Sequence, residues 1–152
     1  MPRNLLIGLL VFFSSMPSFA ATAEERAQAA IEARQGLLKV VGQYFGPLVG
    51  MTRGQIPYDA DIAAKNAKNV SLLLPMIPDL FAFDTRASGL PSDSLDGVWE
   101  NPEDFATKAM EAAKQAEALA AVAGDGRGAL GGALSAAGGA CKGCHDDYRQ
   151  KQ

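Results

Sequence analysis

Apolar residues recur at helical spacing in four stretches of this 152-residue chain, and chain breakers separate the stretches. That period sets one face of an α-helix against a core, and no segment alternates apolar and polar residues as a half-buried strand would. In the first stretch the stripe runs Ile31, Leu38, Val41, Phe45 and Leu48. Thr22 and Glu25 open it with the spacing of a capping box, in which each side chain accepts from the other's backbone N–H. Pro47 is expected to kink this helix or end it early, because it has no N–H and its ring crowds the preceding turn. After a break at Gln55-Ile56-Pro57-Tyr58, the second stretch carries Ile62, Val70, Leu73, Leu74 and Ile77. Asp59 or Asp61 is its cap, and it should end near Pro75 and Pro78.

Asn101-Pro102-Glu103-Asp104 begins the third stretch with an N-cap, proline at the first helical position and acids in the first turn. It continues through Phe105, Ala109, Ala112, Ala116, Leu119 and Ala123 and stops at Gly124-Asp125-Gly126. The fourth carries Leu130, Leu134, Ala137, Cys141, Cys144 and Tyr148. Gly138 and Gly139 inside it should weaken it by roughly 2 kcal/mol against alanine. Residues 79–101 show no helical period and read as a long connection with Phe81, Phe83 and Trp99 as its packed side chains. Four amphipathic helices and three breaks imply an all-α, antiparallel up-down four-helix bundle. Gly42, Gly46 and Gly50 form a flat strip on the first helix; close packing within the subunit is the plain expectation, contact with a second subunit the alternative. Met76 and Met110 read as core fillers.

Residues 1–20 stand apart. Arg3, the nine-residue apolar run Leu5–Phe13 and Ser18-Phe19-Ala20 have the layout of a cleaved secretion signal. The run is far shorter than the ~20 residues of a membrane-spanning helix, so no membrane anchor should remain after cleavage. An exported, periplasmic domain over 21–152 follows. Without Arg3 the 14 basic residues become 13 against 17 acidic ones, with no basic stripe, which excludes nucleic acid as a natural partner.

Both cysteines and the single histidine fall within Cys141-Lys142-Gly143-Cys144-His145. On a helix Cys141 and Cys144 share a face one turn apart, and His145 lies beside them. A disulfide closing so short a loop would restrain the unfolded chain little. A structural zinc site needs four ligands where three nitrogen or sulfur donors exist. A thioredoxin-like pair belongs at a helix start in a βαβ setting. C-x-x-C-H in an exported chain is instead the attachment signal for c-type haem: Cys141 and Cys144 for the thioether bonds, His145 as axial iron ligand, one haem c per chain on the C-terminal helix.

These residues, followed by Asp146-Asp147-Tyr148-Arg149, resemble those of the cytochrome c′ family, the class II cytochromes c. The likeness extends to Arg34-Gln35-Gly36-Leu37-Leu38, Gly54-Gln55-Ile56-Pro57-Tyr58-Asp59, Leu80-Phe81 and Trp99. It implies the four-helix bundle that is known for that family. It also implies a haem pocket with Arg34 and Gln35 near the propionates, Leu38 and Phe81 in the pocket, and Arg149 beside the proximal face. A surface ion pair with Asp146 is a second role for Arg149. Homodimers through the first two helices are usual in the family.

Only seven residues follow His145, so a methionine ligand downstream is excluded. In the related cytochromes c-556 a first-helix methionine binds the iron; the matching residue here is Leu38, which has no lone pair. Met51 lies thirteen residues further on, roughly 20 Å along a helix. The expectation is a five-coordinate, high-spin iron under an apolar distal pocket that admits small gases such as NO and CO. Two roles follow, a gas-binding protein and a one-electron carrier with an unidentified redox partner. A low-spin, six-coordinate carrier like cytochrome c-556 is the alternative. With no general acid or base near the distal face, an enzyme, for example a slow NO reductase, is the weakest reading.

Overall fold

The computed structural model describes residues 21–151, so the expected export signal lies outside the described residues. Helix α1 spans Ala23–Thr52 and starts with the capping box: Thr22 N–H donates to Glu25 Oε2 at 2.7 Å, and Glu25 N–H donates to Thr22 Oγ1 at 3.1 Å. Pro47 neither ends nor shortens it; the helix continues for a further turn. Leu48 and Met51 beyond the proline are fully buried, and that burial outweighs the one hydrogen bond proline removes. The helix ends in a Schellman motif: Gln55 N–H reaches the Gly50 carbonyl, Gly54 N–H reaches that of Met51, and Gly54 takes φ +71°.

Helix α2, Ala60–Leu73, is capped by Asp59, whose carboxylate accepts from Ile62 N–H at 2.9 Å. The chain does not stop being helical at the prolines. A 3₁₀ turn over Leu74–Met76 and helix α3, Ile77–Phe81, each take a proline into the first positions, where its missing N–H has no partner to lose. The stretch expected to be a long connection without helical period therefore begins as helix and also holds the short α4, Gly97–Glu100. Helices α5, Pro102–Val122, and α6, Arg127–Tyr148, complete the set.

The four long helices form a ring in which α1 packs on α2 and α6, and α5 packs on the same two neighbours. This is the up-down four-helix bundle of the periodicity. Its inner faces are lined with small residues. Ala63, Ala67, Ala109, Ala112, Ala113 and Ala116 are buried, while Ile62, expected inside, is 48% exposed. Small side chains allow the backbones to approach, so the bulkier Ile62 lies on the outer surface of α2.

At one end Leu48, Met51, Leu119, Leu130 and Leu134 close a dry aliphatic core. Tyr58 locks that end, accepting from Gly126 N–H and donating to the Ala123 carbonyl, both at 2.9 Å. Met76 and Met110 are about half exposed and fill no core. Above Gly42 and Gly46 an added Cβ would meet nothing, so of the three only Gly50, where such a Cβ would come within 3.3 Å of Ile56, packs closely within the subunit.

Candidate functional site

The other end of the bundle is held differently. Trp99, Phe81, Phe105 and Tyr148 form a ladder with ring centroids 6.4, 5.0 and 5.2 Å apart in turn. Trp99 Nε1 donates to the Phe81 carbonyl at 2.9 Å, and Tyr148 donates to the Asp104 carboxylate. Lys108 pairs with both Asp104 and Asp147, joining α5 to the last turn of α6. The segment before α4 pairs with the end of α6, with Leu95 N–H on the Tyr148 carbonyl and Gln150 N–H on that of Asp93. Phe83 takes no part and is 45% exposed; its carbonyl, not its ring, is the group that is used.

That carbonyl is bound by Arg34, which is only 3% exposed. Arg34 Nε also donates to the Leu80 carbonyl at 2.8 Å and Nη1 to Thr85 Oγ1 at 2.9 Å. Its guanidinium lies over the Phe81 and Trp99 rings, 4.7 and 5.4 Å from their centroids. Burial lowers its pKa, with Asp84 acting against that. The planar fork suits three acceptors and two ring faces at once, which a lysine could not match.

Inside this frame is a cleft of about 480 Å³, in the range of a cofactor site. Its lining includes Arg34, Gln35 and Leu38 from α1, Phe81 from α3, and Cys144, His145 and Arg149 from the end of α6. Leu38 is 39% exposed, and what it faces is this cleft. Cys141 stands one turn before Cys144, and both are half-buried free thiols. Ile31, Ile77, Val98, Phe105 and Tyr148 supply apolar wall that had no part in the sequence-based site, and Lys39 adds a cation. Because they come from five separate helices, only the folded chain brings these wall residues together. Asp146, offered as a partner for Arg149, pairs with Lys142.

The electrostatics suit an imidazole donor. Burial lowers the His145 pKa, and the positive charge of Arg149 adds to this, so the ring is kept neutral with a lone pair free. Burial raises the pKa of both thiols, leaving them protonated. Among the described residues no three His, Cys, Asp or Glu side chains converge as they would on a bare metal ion. Two thiols and an imidazole along one helix edge, beside a large apolar cleft with cationic members, fit a planar anionic macrocycle better than zinc.

Comparison with known proteins agrees with this arrangement. The family described as cytochrome C′ matches residues 29–149. A cytochrome c-554 of Cereibacter sphaeroides is 37% identical over 139 residues, 90% of each chain. The structure of a cytochrome c′ from Rhodobacter Spheriodes superposes with a TM-score of 0.77 at 35% identity, covering 83% of this chain and 98% of that one. A ferrous variant of cytochrome c prime from Alcaligenes xylosoxidans with bound NO superposes at 0.73 and 26% identity, covering 83% and 97%. The chain belongs to the cytochrome c′ family.

Proposed function

We propose that this chain is an exported haem c protein whose cleft holds a single haem with one iron position open to small gases. The observation that carries the reading is the composition of the cleft. Cys144 and His145 line it from α6 and Leu38 from α1, and among the described residues no methionine does. Met51 is buried in the aliphatic core at the far end, and Met76 and Met110 lie on the surface. A low-spin carrier of the cytochrome c-556 kind needs such a ligand, which weighs against it. When bound, haem supplies a one-electron couple and a vacant coordination position.

The protein's own residues have distinct roles in this reading. Cys141 and Cys144 form the covalent links, and His145 presents its neutral nitrogen to the iron. Leu38 covers the other face, excluding larger ligands by bulk and offering no hydrogen bond to a polar one. Arg149, four residues after His145, acts on the proximal side. Phe81 and Arg34 hold the wall. Binding of NO or CO therefore depends on displacing one aliphatic side chain, and turnover is not part of the proposal. The NO-bound relative supports the gas role. Electron transfer with a separate partner would use the same haem. Periplasmic location rests on the leader sequence; no described helix is long and apolar enough to cross a membrane. The open faces of Gly42 and Gly46 support a homodimer through the first two helices. Stopped-flow binding of NO and CO to the wild type and Leu38→Ala tests the gate: association should accelerate at least several-fold. Unchanged rates would remove Leu38 from that role.

A further inference from the structure

The cleft carries more positive charge than the protein around it. Arg34, Lys39 and Arg149 line it against the single carboxylate of Asp93, whereas the chain as a whole has a net charge of −3. The three cations are not equivalent. Arg34 is buried and committed to the carbonyls of Leu80 and Phe83 and to the Thr85 hydroxyl. Arg149 follows the last turn of α6, its N–H on the His145 carbonyl at 3.2 Å and its charge acting on that imidazole. Lys39, exposed like Arg149, lies instead on α1, adjacent in sequence to Leu38, and it has no hydrogen bond or ion pair among the described residues.

A haem tethered by its vinyl edge to α6 must direct its two propionate carboxylates away from those cysteines. Charged carboxylates stay near water unless a partner compensates their burial. A cation on a flexible stem at the wet rim of α1 is such a partner. Resting on the haem reading above, we propose that Lys39 pairs with a haem propionate, and that the pair holds α1, with Leu38, against the face of the cofactor. Lys39 is then a positioning residue for the gas gate, and Arg34 a clamp on the wall rather than a propionate ligand. An exposed pair of this kind shifts an equilibrium by no more than about fivefold, enough to bias a gate without sealing it.

The redox balance gives a readout that mere structural support would not. Oxidised haem iron carries one more positive charge than reduced iron, so removing a nearby cation favours the oxidised state. The experiment compares haem-loaded wild type, Lys39→Gln and Lys39→Arg by midpoint potential across ionic strength, with CO association measured in parallel. In Lys39→Gln the potential should fall, the reduction equilibrium shifting by about two- to fivefold, with a weaker salt dependence and faster CO association. Lys39→Arg should restore all three. A haem-loaded Lys39→Gln with wild-type potential and salt dependence would overturn the pairing. So would a wild type that turns low-spin at high pH when Lys39→Gln does not, because the amine would then be on the iron. A chain that takes up no haem overturns the proposed function itself, and the pairing with it.

Discussion

The two ends of this bundle solve the same packing problem in opposite ways. At the closed end Leu48, Met51, Leu119 and Leu130 fill the space between four helices and exclude solvent. At the open end α1, α5 and α6, with the short α3 and α4, enclose a cleft of about 480 Å³ and are held by a different set of contacts. There the aromatic ladder, the Arg34 clamp and the Lys108 ion pairs keep the walls in place. Aliphatic packing contributes stability in proportion to the space it fills. Rings and charged forks can span a cavity edge and hold geometry without filling it. A bundle that must accept a large cofactor can therefore keep its folding energy at one end and its site at the other.

That division predicts a graded response to mutation. Leu130→Ala at the closed end should destabilise the protein by about 2–5 kcal/mol, measured by urea unfolding with and without cofactor. A loss under 1 kcal/mol would mean that the closed end is not the stabilising one. Arg34→Met should cost about 2–4 kcal/mol, because it leaves the Thr85 hydroxyl and two carbonyls unpaired in a part-buried site. It should also loosen segment 80–85 in hydrogen exchange while sparing the closed end. Uniform loosening would contradict the separation of the two ends.

Gly139→Ala should stabilise by roughly 1 kcal/mol, since a Cβ there meets no other side chain or backbone. The smallest effect is set by pH. The hydrogen bond to the Asp104 carboxylate raises the Tyr148 pKa to about 12, with burial acting in the same direction. The folded state thus favours the neutral phenol. Its contribution is complete below the ordinary tyrosine pKa near 10 and disappears as pH rises towards about 12. Tyr148→Phe should flatten that alkaline limb of the stability curve. An equally steep fall in the variant would assign it elsewhere.

Much of this was legible in the sequence, for identifiable reasons. The capping box at Thr22, the Asp59 cap and the Pro102 start are local signals and appear where the spacing put them. The C-x-x-C-H cluster is also local, since three residues on one helix need no tertiary information to share an edge. Reading by hydrophobicity failed on α2, where Ile62 looks like core and Ala63 and Ala67 are core. Close helix approach rewards small residues, which a scale based on hydrophobicity undervalues. Pro47 misled because tertiary burial of Leu48 and Met51 outweighed a local preference. The fate of Arg34 could not be read at all, as its acceptors lie 46 to 51 residues away in a segment with no period. Likewise Val98, Phe105 and Tyr148 become one wall only when α4, α5 and α6 meet.

The central claim is a covalently held haem with one open iron position, facing Leu38 and bound on its other side by His145. The absorption spectrum of the reduced protein, matured in a host able to attach haem c and recorded before and after CO, tests it most directly. A five-coordinate iron gives a broad high-spin band that CO converts to a sharp low-spin one. A sharp low-spin spectrum indifferent to CO, or a colourless protein with both thiols still titratable, would contradict it.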